Sequence, residues 1–136
     1  MKRDMNLIRA IVLGMRDGDF GDRDDLPGFC SAKIGRQVDE DEFGYHGYLV
    51  VDAGLAGGAD VRCMGDAFPN WEPHYLTWAG QEFAMLAESD ETWLKFVGAA
   101  KEKSATLSFE FVKAGLVEFA KFGAKQLAAS QFGFPT

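Results

Sequence analysis

The 136-residue sequence predicts an α+β fold, mostly α, on three observations. Apolar residues recur at helical spacing along most of the chain. Asp, Ser and Thr stand at the heads of those runs, where caps belong. Between Leu55 and Leu76, Gly and Pro break the chain into two short stretches of strand character.

The elements follow in order. Over residues 4–16, Met5, Ile8, Ile11, Val12 and Met15 share one helical face. Lys2, Arg9 and Arg16 lie seven apart and predict a basic stripe beside it. Residues 17–28 read as a loop from their Asp, Gly and Pro content, and a short strand is expected about Ser31–Gly35. Asp39–Glu42 places negative charge where a helix N-terminus favours it. That helix is expected to run to Asp52 or Ala53 and to end on Gly54 in the left-handed region.

Leu55–Cys63 reads as a strand, Met64–Pro73 as a hairpin-like excursion and His74–Leu76 as the returning strand. Thr77 is the expected N-cap of a helix through Glu88 that buries Phe83 and Leu86. Ser89 or Asp90 caps the next helix, with Trp93, Phe96, Val97 and Ala100 inward, and Ser108 caps a last helix to about Ala129. The expected organisation is a body over 1–88, C-terminal helices over 89–130 and a tail over 131–136.

With 47% hydrophobic residues the chain is too apolar for a disordered one. No run approaches the roughly 20 apolar residues a bilayer span needs. Asp4, Arg9 and Arg16 interrupt any signal-peptide core, and Cys30 and Cys63 make no disulfide framework, so a cytoplasmic address is expected.

The net charge of −7 conceals a segregation. Residues 1–16 and 95–136 carry +3 each, whereas 17–94 carry −13. From Gln37 to Leu94 there are twelve acids and a single base, Arg62. Part of that bias serves solubility; the rest predicts a basic partner for the central surface.

The stretch Tyr45-His46-Gly47-Tyr48-Leu49-Val50-Val51-Asp52-Ala53-Gly54-Leu55-Ala56 resembles the recognition-helix exit of bacterial winged-helix regulators of the arsenic-repressor and multiple-antibiotic-resistance types. His46, Val50, Ala53, Gly54 and Leu55 match that pattern; Gly47 stands where a leucine is expected and Ala56 where a β-branched residue is. A resemblance over nearly the whole chain rests on four features: the opening Met-Lys-Arg-Asp-Met, the Tyr-His…Ala-Gly-Leu exit, Leu-Thr-Trp-x-Gly-x-Glu-Phe and Asp-Glu-Thr-Trp. It is to an uncharacterised domain-of-unknown-function family of small bacterial and prophage proteins. The two resemblances imply a winged helix-turn-helix-like body with a small β-wing and a helical C-terminal extension. They imply no catalytic residues.

A helix that reads the major groove brings Arg, Lys, Asn or Gln to base edges, and duplex affinity needs cations at phosphates. The helix beginning at Asp39 opens with four acids and holds no lysine or arginine before Gly54. The excursion 62–73 has one arginine and two acids. DNA binding is therefore disfavoured, and the expected function is non-enzymatic binding of a protein partner with a basic surface. The expected contacts are Asp39, Glu40, Asp41, Glu42, Tyr45, Tyr48, Phe68 and Trp71. Trp71 has two readings, an interface anchor or a lid folded back over the helix. A nucleic-acid-mimicking inhibitor or phage-encoded regulator fits that surface. The alternatives are a dimeric DNA-binding transcriptional regulator and a structural subunit of a larger phage assembly.

The last helix carries two apolar stripes where packing on one body needs one. Phe111, Val112, Gly115, Leu116, Phe119 and Phe122 are accordingly the expected homodimer contacts, the other reading being a central helix buried in a monomer.

Other chemistries fail on spacing. Asp17, Asp19, Asp22, Asp24 and Asp25 do not fit an EF-hand frame, because Asp22 falls where the turn glycine belongs. Cys30, His46, Cys63 and His74 lack the paired clips of a zinc site, and His46 is expected to pack in the core and hydrogen-bond to backbone. Gly-x-Ser-x-Gly and the phosphate- and dinucleotide-binding glycine loops are absent. No catalytic residue, metal or cofactor is expected.

Overall fold

Six helices and one β-hairpin make up the described residues, in the order α1 (Met5–Asp17), α2 (Asp25–Ile34), α3 (Glu40–Asp52), β1 (Ala56–Asp60), β2 (Trp71–Leu76), α4 (Trp78–Ala87), α5 (Asp90–Glu102) and α6 (110–118). This is a computed structural model, and it describes residues 1–18, 25–65, 67–102, 108 and 110–118. The fold is α+β and mostly α, as the sequence predicts. The chain divides into two units between Ala84 and Met85.

In the first unit α1 is the central element. Asp4 caps it, its side chain accepting from Asn6 N at 2.9 Å. Every residue from Leu7 to Gly14 is buried, because α2, α3 and β2 all pack on this helix. Arg9 is buried with the rest at 6% exposure, which corrects the expected basic stripe: Lys2 and Arg16 are not joined by a surface cation between them.

The expected strand about Ser31–Gly35 is also corrected, because Asp25–Ile34 forms α2. Pro27 and Gly28, which give this segment its turn-like reading, fall in the first turns. A proline there costs no hydrogen bond, since that N–H has no helical partner in any case. The helix stops at Gly35 (φ 81°), whose N–H donates to Ser31 O. Ser31 Oγ then accepts from Val38 N at 3.1 Å, which aims the chain into α3.

α3 follows its predicted bounds closely. Asp39 caps it by accepting from Glu42 N at 2.8 Å, and Gly54 (φ 80°) ends it. Its buried residues include Gly44 and Gly47, one turn apart. A Cβ on Gly47 would lie 2.2 Å from the carbonyl oxygen of Trp71, so α3 lies directly on the β2 backbone.

The hairpin pairs antiparallel, Ala56 with Leu76 and Asp60 with Trp71, with a register shift between Gly57 and Gly58. β2 begins at Trp71, three residues earlier than predicted, and Pro73 sits beside the irregularity, where a missing N–H is tolerated. Thr77 caps α4 as expected: its Oγ1 accepts from Gly80 N and donates to Gly54 O. Phe83 is fully buried there, Leu86 half-buried.

In the second unit Ser89 Oγ accepts from Thr92 N, and α5 buries the predicted Trp93, Phe96, Val97 and Ala100. Ser108 Oγ accepts from Phe111 N at the head of α6, which is described to residue 118.

Candidate functional site

α3 and the hairpin together build one face of the first unit. Because Gly44 and Gly47 have no side chains, the segment Asn70–Trp71 approaches the helix closely, and aromatic residues cover the seam. Tyr45 meets Phe68 edge-on at 6.0 Å between ring centroids. Tyr48 meets Trp71 at 6.4 Å, and the two tyrosines lie 6.3 Å apart. The structure thus gathers Tyr45, Tyr48, Phe68 and Trp71 into one half-buried cluster. Trp71 rests beside the helix, half-buried.

The four acids are not equivalent. Asp39, Glu40 and Asp41 are exposed, and among the described residues no cation pairs with Glu40 or Asp41. Glu42 is drawn sideways into a fork with Arg36, at 2.7 and 2.6 Å, and Arg36 also reaches Asp4 at 3.0 Å. Asp39-x-x-Glu42 has capping-box spacing, but the glutamate turns to Arg36. Sequence reasoning missed Arg36; its isolation among few central bases, six residues before Glu42, was the available signal.

A cleft of about 300 Å³ opens beside this face, lined by Pro27, Val38 and Phe43, by Asp39 and Glu40, and by Val61 and the segment Asn70–Glu72. A smaller hollow of about 190 Å³ shares Phe43 and Glu72 with it. Phe43, Asn70 and Glu72 were not singled out from sequence, because their proximity depends on how β2 lies along α3.

His46 sits at the heart of the same helix, fully buried. Its Nδ1–H donates to Glu42 O at 2.8 Å and its Nε2 accepts the Asp4 backbone N–H at 2.9 Å. The accepting Nε2 defines the neutral tautomer, and burial holds the imidazole below its ordinary pKa. Both nitrogens are thus occupied by backbone groups, the packed role expected of His46. Among the described residues no three His, Cys, Asp or Glu side chains gather as a metal centre would require. Of the Asp-rich loop, residues 19–24 lie outside the described residues.

On α6, Val112, Gly115 and Leu116 are buried by the chain itself, and Phe111 lies 5.6 Å from the Phe96 ring. Phe119 and Phe122 lie outside the described residues. Among the described residues no helix is long and apolar enough to cross a membrane.

A family model described as a hypothetical protein (DUF2513) matches residues 2–106, a span that includes α1 to α5 and the whole of the acidic and aromatic face. No curated protein and no solved structure matches the chain.

Proposed function

The chain belongs to the DUF2513 family, and from the geometry of its face we propose that it is a non-enzymatic module that binds a protein partner with a basic surface. One observation carries this reading. Four aromatic rings cluster beside three exposed carboxylates, Asp39, Glu40 and Asp41, on one side of one unit. Half-buried aromatics anchor interfaces, and a rim of one charge sign steers a partner of the opposite sign. A nucleic-acid-mimicking inhibitor, or a regulator from a bacterial or prophage setting, is the role that fits such a face.

The element order supports a second reading. Three helices followed by an antiparallel hairpin is the order of a winged helix-turn-helix body, with α3 as recognition helix and residues 61–70 as the wing. A duplex-binding regulator would use that scaffold, but the sign of charge along α3 opposes it. A structural subunit of a phage assembly is the third reading. If the chain forms a homodimer through α6, the second copy would meet Ala114 and the partly exposed Val117, since Val112 and Leu116 are already covered.

The deciding experiment compares the wild-type chain with the double variant Glu40→Lys/Asp41→Lys. Expected is a partner retained by wild type at low salt, released progressively toward physiological salt and not retained by the variant. Equal retention by both, or a sequence-specific gel shift of duplex DNA by the wild type at moderate salt, would overturn the reading.

A further inference from the structure

We propose that the cleft between α2, the first turn of α3 and β2 receives one arginine side chain of the partner, a reading that rests on the acidic face being the binding face. The lining has two parts. Pro27, Val38, Phe43, Val61 and Trp71 supply apolar wall, while Asp39, Glu40 and Glu72 supply three carboxylates. A volume of about 300 Å³ is at the small end of ligand pockets, which span ~300–1,000 Å³, so one side chain fits better than a cofactor.

A cation with a long aliphatic stem matches both parts. The stem covers Val38 and Phe43, and the charged head meets carboxylates beside an indole ring. Arginine is preferred to lysine because its guanidinium is planar, weakly hydrated, stacks on an aromatic face and bonds a carboxylate in a fork. The N-terminus of α3 opposes a cation with about half a positive charge, against three lining carboxylates. Asp39 is already engaged with Glu42 N and Glu72 Oε1 lies 3.9 Å from His74 Nε2, so Glu40 is the first recognition residue and Glu72 the second carboxylate of the cleft. A metal ion is the poorer occupant, because the three lining carboxylates do not converge as a metal centre requires.

The test titrates the ¹⁵N-labelled full chain with N-acetyl-arginine methylamide, its uncharged citrulline analogue and its lysine analogue. Saturable amide shifts are expected for Val38, Glu40, Phe43, Asn70 and Glu72 and for the Trp71 indole with the arginine compound. The lysine analogue should bind more weakly and citrulline should leave the spectrum unchanged. The variant Glu40→Gln/Glu72→Gln should lose the shifts while keeping the dispersion of a folded chain.

Equal shifts with citrulline, equal affinity for the lysine analogue, or shifts spread equally over Asp52, Asp60 and Glu82 would overturn the assignment. The failures of the two proposals are distinguishable. Partner capture sensitive to Glu40→Lys/Asp41→Lys without arginine shifts removes the cleft and keeps the face. Arginine shifts without any captured partner leave a cleft that binds arginine but overturn both the protein-binding role and the assignment of that arginine to a partner.

Discussion

His46 Nε2 accepts the backbone N–H of Asp4 at 2.9 Å across 42 residues of sequence, and this one bond joins the head of α1 to the first turns of α3. The same imidazole donates to Glu42 O, and Arg36 clamps Asp4 and Glu42 from outside. The buried ring and the exposed guanidinium therefore close the same junction from two sides. The ring bears more of the energy, because a bond sheltered from water is costly to leave unmade, while exposed ion pairs contribute little.

Replacing His46→Leu is expected to destabilise the fold by about 2–4 kcal/mol, since the Asp4 N–H and Glu42 C=O lose their partner inside the protein. Urea unfolding of the two proteins measures it. Arg36→Met should cost under about 1 kcal/mol, and that cost should shrink at ~1 M salt, where the Debye length is ~3 Å.

The junction also predicts a pH dependence. Burial lowers the folded-state pKa of His46 below its ordinary 6.5, so the unfolded chain takes up the proton first. The stabilisation is complete above that ordinary value and is lost as pH falls below it toward the folded pKa. Against His46→Gln, the stability advantage of wild type should narrow on acidification by at most ~1.4 kcal/mol per pH unit. An advantage that stays level from pH 7.5 to pH 5, in urea titrations at each pH, would contradict the buried neutral ring.

The two cysteines should differ sharply in reactivity. Cys30 is fully buried in α2 and burial pushes its thiol up to about 12, whereas Cys63 is exposed after β1. Thiolate is the nucleophile, so native protein should label at Cys63 and resist at Cys30 until unfolding. Mass spectrometry after a thiol-reactive pulse, with and without denaturant, reads both sites.

Local chemistry was the legible part of this fold. Asp39, Thr77, Ser89 and Ser108 all cap the helices they were expected to head, and Gly54 takes the left-handed turn. Each depends on groups within four residues, which a sequence displays directly. α2 was hidden because Pro27 and Gly28 signal a turn, and only the fold tells that they occupy a first helical turn. The seven-spaced arginines misled for a similar reason. Spacing puts Arg9 and Arg16 on one helical face, but it shows neither that Lys2 lies before the helix begins nor that three other elements pack on the helix and bury Arg9. The four aromatic residues of the face were nameable, yet the cleft beside them was not, because Phe43, Asn70 and Glu72 meet only when β2 lies along α3.

Gly47 has no room for a side chain, because the hairpin lies directly against it. A Cβ there would fall 2.2 Å from Trp71 O and 3.2 Å from Pro73 Cδ, both held by the hairpin. Gly98, in the middle of α5, is exposed, and its added Cβ would meet nothing within 4 Å. Helix propensity alone favours alanine over glycine by ~1 kcal/mol at either site. Gly98→Ala should therefore stabilise by about 0.5–1 kcal/mol. Gly47→Ala should instead destabilise by about 2 kcal/mol or more, since α3 and the hairpin must separate to admit the methyl. Chemical unfolding of both variants distinguishes the two. Its separation from α3 should also weaken the Tyr48–Trp71 contact, visible as a shifted Trp71 indole resonance in Gly47→Ala and an unchanged one in Gly98→Ala. A neutral or stabilising Gly47→Ala would mean that β2 does not lie on α3, and the aromatic cluster would lose its structural basis.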